Sequence, residues 1–451
     1  MGRITLAQAA KWCGGQVDEK YADITFLGAC GDHRWAKPGE LFVTLNEAHL
    51  GESVRVAMEK GAAAVLCSCV QTDYPCIVVS DPRRALGDIA RQERKRIGMR
   101  VVGVTGSMGK TTVTEMISCV LSGTYRVGKT PSNQFDDIGV PMAILAMAED
   151  TQVAVLEMGM NHYREIAYLT SVARPDIAVI TNIGGAAKEE LQTREDILRA
   201  KMEILEGMRE GSQVFVNGDD DLLWKSRTIS QLKTICYGRL NRENAILADD
   251  LTVGEGISRF QLQNGQLSFP VELNLDQPHF VSDALAAISV GLALGVSPAL
   301  IQERLSAFRN DKVSGETVTV RQMKVISRCY HAGPVSMAAA VEELGRESGR
   351  RVAVLGDMLD LGVCTQAEHY RIGRIVAENA DILLSYGNGA SRIVSGALTG
   401  GMNPARVMIF SDSERLLSTL DCLVKPGDTI LFMASRHVNM QAIAQKFMQA
   451  T

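Results

Sequence analysis

Short apolar runs alternate with amphipathic segments along almost the whole chain, a pattern typical of parallel strands covered by helices. The sequence therefore predicts an α/β protein. The apolar runs predict strands at 40–45, 63–67, 76–79, 100–104, 153–156, 177–181, 213–216, 351–355, 382–385, 406–410 and 429–433. The amphipathic segments predict helices at 4–13, 53–60, 82–96, 111–121, 163–172, 195–207, 281–294, 336–344, 368–378, 391–398, 414–420 and 440–448.

The alternation is grouped in three stretches. A chain of 451 residues corresponds to about three domains of ~150 residues each. We predict domains at 1–98, 99–313 and 314–451. In the second and third we expect mainly parallel sheets, which bind ligands at the carboxyl ends of their strands.

Composition and charge narrow the function classes. The chain is 46% hydrophobic and 22% charged, with a net charge of -5, so nothing indicates a nucleic-acid partner. We find no apolar run long enough to span a membrane and no signal-peptide pattern at the start. The ten cysteines lack zinc spacing and are interpreted as reduced thiols of a cytoplasmic protein. The run Arg91, Arg94, Lys95 and Arg96 is interpreted as a solvated helix face before a linker.

The segment 100–112 carries the clearest chemical signal. It is an apolar strand, a glycine-rich turn and the first turn of a helix, an arrangement that points backbone N–H groups at a phosphate. The spacing departs from the strict Walker pattern, whose first glycine would fall on Val104. A lysine in this position reaches the terminal phosphates, and a threonine hydroxyl next to it ligates Mg²⁺. The predicted nucleotide-binding residues are Thr105, Gly106, Ser107, Gly109, Lys110, Thr111 and Thr112.

Two further residues are candidates for the same site. Glu157 follows the strand at 153–156, where a carboxylate faces the phosphates of a parallel sheet, and we predict it as a Mg²⁺ ligand beside Thr111. Lys201 lies within the helix at 195–207, and a lysine in the middle of a helix is usually an exposed surface residue.

These residues, with several further motifs, make the chain similar to the Mur ligase family. The resemblance extends over nearly the whole sequence. It predicts a three-domain architecture with a central P-loop domain and a Rossmann-like C-terminal domain. The motifs lie at 38–43, 105–112, 137–141, 157–162, 165–169, 175–178, 181–184, 200–204 and 354–362.

The resemblance implies an ATP-dependent ligase of peptidoglycan precursor synthesis. ATP and Mg²⁺ would convert the carboxylate of a UDP-N-acetylmuramoyl peptide into an acyl phosphate, which the amine of D-alanyl-D-alanine or a similar molecule attacks. Lys110 and a carbamylated Lys201 would be catalytic, Asn182 would join the nucleotide site, and Thr111 and Glu157 would serve the metal. The first domain would hold the UDP-sugar, and the last would close over ATP and bring the dipeptide. We expect a monomer that can associate with cell-wall enzymes.

The sequence departs from the family pattern at several functional positions. A family histidine is replaced by Ala187, and two adenine-side asparagines are replaced by Phe280 and Asp283. Further replacements in the last domain are Glu316, Arg328, Gly333 and Met433.

Three functions therefore remain open. The first is an active ligase, supported by the phosphate loop with Glu157 and Lys201 in register. The second is a catalytically impaired paralogue that binds or regulates in cell-wall synthesis, supported by the departures. The third is an unrelated P-loop kinase or ATPase, which the motifs outside the loop disfavour.

Overall fold

The computed structural model describes residues 4–45, 50–69, 73–131, 134–184, 190–228, 232–254, 256–309, 316–329, 332–359, 361, 364–435 and 438–449. The chain divides into two compact units, one of Met1–Gly185 with Thr193–Phe308 and the other of Ala186–Gln192 with Arg309–Thr451. Both contain sheets that are mainly parallel, so the predicted α/β class is confirmed. All ten cysteines are free thiols. Within the described ranges, no helix combines the length and the apolar composition that a membrane crossing requires.

The first unit begins with two small sheets. One pairs two short strands, and the other has five strands in the order β2-β7-β6-β5-β4. The strands are β1 (Ile4–Thr5), β2 (Gln16–Val17), β3 (Thr25–Phe26), β4 (Ala29–Cys30), β5 (Leu41–Val43), β6 (Ala64–Cys67) and β7 (Cys76–Val78). The helices are α1 (Leu6–Cys13), α2 (Leu50–Glu59) and α3 (Pro82–Ile97).

The predicted helix at 4–13 starts two residues too early. Ile4 and Thr5 pair with β3, and Thr5 also caps α1 because its hydroxyl accepts a hydrogen bond from the backbone N–H of Gln8. The Gln8 side-chain oxygen in turn accepts a hydrogen bond from the Thr5 backbone N–H, which completes a capping box. The local capping signal therefore fixes the helix start at Leu6.

The larger sheet of the first unit has nine strands in the order β16-β15-β14-β13-β12-β11-β8-β10-β9. From β9 to β14 neighbouring strands are parallel, whereas β14, β15 and β16 are antiparallel. The strands are β8 (Arg100–Thr105), β9 (Val127–Lys129), β10 (Val153–Glu157), β11 (Ile177–Ile180), β12 (Gln213–Asn217), β13 (Lys233–Gly238), β14 (Ile246–Gly254), β15 (Ile257–Asn264) and β16 (Leu267–Leu273). The helices are α4 (Lys110–Leu121), α5 (Gly139–Leu145), α6 (Glu165–Ala173), α7 (Arg194–Met202), α8 (Asp221–Ser226), α9 (Pro278–Ala293) and α10 (Pro298–Ala307).

The basic end of α3 is not simply a solvated face. The Arg94 guanidinium donates to the carbonyl oxygens of Ala173 and Arg174 and to the carboxylate of Asp176, and only 11% of its side chain is exposed. The interpretation of this run as solvated is therefore wrong for Arg94. This arginine ties α3 to the end of α6.

A glycine allows α3 and α6 to approach closely. A Cβ on Gly87 would lie 2.0 Å from the Tyr168 hydroxyl oxygen and 3.3 Å from a methyl carbon of Val172. The Tyr168 hydroxyl is buried and has no hydrogen-bond partner among the described residues, and burial raises the pKa of Tyr168 to about 12. The Tyr168 ring also stacks on the Arg84 guanidinium, whose Cζ lies 4.4 Å from the ring centre.

We expect Gly87→Ala to destabilise the protein by about 1–3 kcal/mol, because overpacking forces a buried aromatic side chain to move. Urea unfolding measures this change. Gly51→Ala is the matched control: Gly51 is also helical, but nothing lies within 4 Å of its added Cβ. Equal effects of the two substitutions would contradict the packing argument.

The second unit is built on a six-stranded sheet with the order β17-β18-β22-β19-β20-β21. Only the pair β17 and β18 is antiparallel. The strands are β17 (Glu316–Val320), β18 (Met323–Ser327), β19 (Arg351–Gly356), β20 (Ile382–Tyr386), β21 (Val407–Phe410) and β22 (Thr429–Met433). The helices are α11 (Pro334–Gly345), α12 (Thr365–Asn379), α13 (Ala390–Thr399), α14 (Ser413–Leu423) and α15 (Met440–Gln449).

Candidate active site

The candidate site lies at the carboxyl edge of the nine-stranded sheet. Strand β8 sits between β10 and β11, so the chain leaves β8 towards one side of the sheet and later returns on the other. Such a switch point opens a crevice outside the strand ends. The loop 106–109 joins β8 to α4 at this crevice.

Two glycines shape the loop. Gly106 has φ +154° and Gly109 has φ +79°, conformations that residues with a Cβ adopt rarely. A Cβ on Gly106 would also lie 1.8 Å from the Thr181 hydroxyl oxygen. The loop therefore requires glycine at 106 for space as well as for conformation.

Lys110 opens α4 and folds back over the loop. Its Nζ donates to the Gly106 carbonyl oxygen at 3.1 Å. Burial lowers the pKa of Lys110, and the nearby charge of Glu157 opposes that shift. The ammonium group is thus held where a bound phosphate would meet it.

Thr111 and Glu157 meet as the sequence predicts. The parallel register pairs Glu157, the last residue of β10, with Val104 of β8, and the Thr111 hydroxyl donates to the Glu157 carboxylate at 2.9 Å. Glu157 is only 3% exposed. Burial raises the pKa of Glu157, while Lys110 and the Thr111 hydrogen bond lower it.

A hydroxyl and a carboxylate are hard oxygen donors, so this pair fits Mg²⁺ that keeps water and phosphate as its other ligands. In the part of the chain that the structure describes, no group of three or more His, Cys, Asp or Glu side chains is arranged to hold a metal.

Asn182 holds the phosphate loop in place through two hydrogen bonds. Its amide accepts from the Met108 N–H at 2.9 Å and donates to the Met108 carbonyl at 3.1 Å. The Ser107 hydroxyl accepts from the Gly184 N–H at 2.8 Å. The segment that follows β11 thus fixes the loop from one side.

The two remaining predicted threonines are buried. Thr105 is fully buried, and its hydroxyl has no partner among the described residues. Thr112 is 3% exposed, so Thr111 rather than Thr112 presents its hydroxyl to Glu157.

Lys201 is not an exposed helical lysine. It lies in the last turn of α7 and is only 4% exposed, so the ordinary explanation for this residue is wrong. The predicted helix at 195–207 ends at Met202 and continues as a 3₁₀ helix, Glu203–Gly207. The Glu203 carboxylate accepts from the N–H groups of Arg164 and Ala167 at 2.8 and 3.1 Å, which anchors the end of α7 to the start of α6.

The positions in the first unit where this sequence departs from the family pattern lie in different environments. Ala187 lies outside the described residues. Phe280 and Asp283 are both buried on α9, and Asp283 lies directly against Gly109 of the phosphate loop. The sequence identified Asp283 only as a replacement; its place beside the loop was missed.

Three of the replaced positions in the second unit lie within the described residues. Arg328 pairs with Glu343 at 2.7 Å, Gly333 is the N-cap residue of α11, and Met433 is buried at the end of β22. The side chain of Glu316 lies outside the described part of the chain.

The second unit has its own polar network at the carboxyl edge of its sheet, which sequence reasoning did not find. The Asp357 carboxylate, next after β19, accepts from the N–H groups of Asn388 and Gly389 at 2.8 and 2.7 Å. His369 is 1% exposed, and its Nε2 accepts from the Met358 N–H at 3.0 Å. The His369 Nδ1 lies 2.6 Å from the Thr365 carbonyl oxygen. The motif at 354–362 marks the place of Asp357, but no sequence signal marks His369.

A glycine-rich loop between strand and helix at a switch point defines a P-loop protein of the α/β class. A family model described as the Mur ligase middle domain matches residues 104–291, and one described as the Mur ligase, glutamate ligase domain matches residues 315–436. The UDP-N-acetylmuramoyl-tripeptide–D-alanyl-D-alanine ligase of Bacillus subtilis is 34% identical over 447 residues, which cover 97% of this chain and 96% of that protein. The chain belongs to the Mur ligase family.

Solved structures match nearly the whole chain. MurF from Acinetobacter baumannii matches with a TM-score of 0.88 at 28% identity, covering 100% of this chain and 99% of that one. The MurF ligase of Thermotoga maritima, solved in complex with ADP, matches with a TM-score of 0.77 at 25% identity, covering 94% and 97%. The family resemblance and the fold predicted from it are confirmed.

Proposed function

We propose that this protein is an ATP-dependent ligase that joins the carboxylate of a UDP-N-acetylmuramoyl peptide to the amine of D-alanyl-D-alanine or a similar molecule. The observation that carries the proposal is the phosphate loop with Lys110 and the Thr111–Glu157 pair, in a chain similar over 97% of its length to a ligase of that name. The ADP bound to the Thermotoga maritima relative supports ATP as the nucleotide.

The chemistry needs activation because a carboxylate is a poor electrophile. A carboxylate oxygen of the peptide attacks the γ-phosphorus of ATP, the bond to the bridging oxygen breaks, and ADP leaves. The amine then attacks the acyl carbon, loses a proton, and the tetrahedral intermediate releases phosphate. The protein contributes positioning and charge stabilisation.

Each residue has a role in this proposal. Lys110 places a positive charge beside the transferring phosphoryl group, and the loop supplies backbone N–H groups. Mg²⁺, held by Thr111 and Glu157, would neutralise phosphate charge. Asn182 keeps the loop in shape. Lys201 would act as a buried carbamylated lysine.

The domain roles belong to the same proposal. Residues 1–98 would bind the UDP-sugar, 99–313 would bind ATP and 314–451 would bind the dipeptide. We propose a monomer in the cytoplasm, where ATP is available.

The impaired-paralogue alternative is the weaker one. Lys110, Thr111 and Glu157 keep a mutual geometry suited to phosphate and metal, and the relatives matched over full length are named as ligases. The replacements Arg328, Gly333 and Met433 are accommodated by an ion pair, a helix start and a buried strand end.

The test is ADP release from Mg²⁺-ATP in the presence of UDP-N-acetylmuramoyl-tripeptide and D-alanyl-D-alanine. We expect release that requires both acceptor and dipeptide, together with a product whose mass equals the two substrates minus water. Lys110→Ala should lower the rate by about 10²- to 10³-fold, because one electrostatic stabiliser of the transition state is removed. No release from well-folded protein would overturn the proposal in favour of the impaired paralogue.

A further inference from the structure

A buried acid lies against the phosphate loop. Asp283, in the second turn of α9, is 8% exposed. A Cβ on Gly109 would lie 2.7 Å from Oδ1 and 3.5 Å from Oδ2 of this side chain. The carboxyl group therefore occupies the space that the missing side chain of Gly109 leaves open, directly before the first turn of α4.

The surroundings of Asp283 favour its uncharged form. Burial raises the pKa of Asp283 well above its ordinary value, and no hydrogen bond or opposite charge among the described residues opposes that shift. Tyr237 of β13 is also buried, and its pKa is raised by burial first and then by the charges of Asp283 and Asp219. His279, one turn earlier on α9, is exposed.

Other charged groups on the elements packed against α9 are directed elsewhere. Lys110 faces Gly106 and Glu157, Glu115 pairs with Lys129, Asp249 pairs with Arg242, and Arg304 lies by Cys119. Asp283 thus has no described cation to hold it as an anion.

We propose that Asp283 makes nucleotide binding at the phosphate loop depend on pH. The loop binds a nucleotide polyphosphate while the Asp283 carboxyl is neutral and releases it when this carboxyl ionises. The loop binds anions through backbone N–H groups and the positive end of α4. An ionised carboxylate touching Gly109 in a buried site opposes both contributions and repels the phosphates. The inference rests on the proposed nucleotide site and adds its regulation by pH.

The direction of the pH effect on nucleotide affinity follows from proton linkage. A bound polyphosphate favours the protonated carboxyl, so nucleotide affinity is full at low pH and falls as pH rises through the pKa of Asp283 in the free protein. The same group contributes stability that is present below the unfolded pKa of about 3.9 and is lost as pH rises through the raised folded pKa.

The experiment measures the Kd of Mg²⁺-ADP by calorimetry from about pH 7 to about pH 9.5, a range above the last phosphate pKa of about 6. Wild type is compared with Asp283→Asn, which keeps the shape of the side chain but cannot ionise. Ser289→Ala is the matched control, because Ser289 is also a buried polar residue on α9 and its hydroxyl donates to the Leu285 carbonyl oxygen. We expect the wild-type Kd to rise by up to about tenfold per pH unit, as the Ser289→Ala Kd does, while the Asp283→Asn Kd rises much less.

Parallel Kd profiles of wild type and Asp283→Asn would overturn the inference and leave the nucleotide site intact. Failure of wild type to bind at any pH would instead overturn the proposed function, and the inference with it. Thermal unfolding without nucleotide gives a second readout: the Tm of wild type should fall relative to Asp283→Asn as pH rises. A constant Tm difference would show that Asp283 does not titrate in this range and would also overturn the proposal.

Discussion

Glu157→Gln should lower the turnover number of the ligase by about 10²- to 10³-fold, the usual effect of losing one electrostatic stabiliser of a transition state. The substitution keeps the hydrogen bond from the Thr111 hydroxyl, because the amide oxygen of glutamine also accepts. It removes the negative charge that would hold Mg²⁺ beside the phosphates. Steady-state ADP release at increasing Mg²⁺ concentration measures both effects: the rate should fall, and the Mg²⁺ concentration at half-maximal rate should rise.

Glu272→Gln is the matched control for this prediction. Glu272 lies on β16, the edge strand at the other end of the same sheet, and its partly exposed side chain pairs with Arg259 at 2.7 Å. We expect its rate to stay within about twofold of wild type, as for a surface ion pair. If Glu157→Gln retained the wild-type rate and Mg²⁺ dependence, Glu157 would not be a metal ligand.

The pairing of Thr111 with Glu157 shows what the sequence can predict. The sequence predicts a mainly parallel sheet, and the carboxyl ends of parallel strands lie at one edge, which places Glu157 on the side of the phosphate loop. The structure adds that β8 and β10 are direct neighbours, and their register brings Glu157 to α4. Local signals suffice here because strand ends and the first turn of a helix define the same edge.

The antiparallel strands show what was missed despite a signal. Strand β15 alternates buried and accessible positions, and Asn264-Gly265 turns the chain into β16 with Gly265 at φ +61°. An Asn-Gly pair between alternating segments is a hairpin signature. The turn between β17 and β18 has no such signature, because Arg321 and Gln322 adopt positive φ there without glycine. That hairpin is set by the sheet rather than by local sequence.

Burial of single polar residues was beyond sequence reasoning. Lys201 looks like any helical lysine, and Asp283 looks like a small polar change within an apolar helix. Their burial depends on packing against segments distant in sequence, such as the phosphate loop against α9. The spacing of hydrophobic residues shows which face of a helix is buried, but it does not show whether a single polar residue on that helix is buried.

Lys201→Met should abolish measurable ligation, with a loss of at least about 10²-fold in turnover, while the protein stays folded. Methionine fills nearly the same volume but carries neither the charge nor the hydrogen-bond donors of lysine, so a buried group that interacts with Lys201 is left unsatisfied at a cost of about 1–3 kcal/mol. The turn that carries Lys201 is anchored separately, because Glu203 holds the start of α6. ADP release gives the rate, and urea unfolding, in which we expect a loss of about 1–3 kcal/mol with a cooperative transition retained, gives the stability.

Two further variants separate the chemical role of Lys201 from its charge. Lys201→Arg keeps a positive charge, but a guanidinium cannot serve as the amine that carbamylation requires, so we expect it to be as inactive as Lys201→Met. Lys225→Met, at an exposed lysine on α8 that pairs loosely with Asp221, should leave the rate unchanged. Full activity of Lys201→Arg would show that the positive charge alone matters and would exclude carbamylation. Full activity of Lys201→Met would remove this lysine from the site, and its burial would then be purely structural.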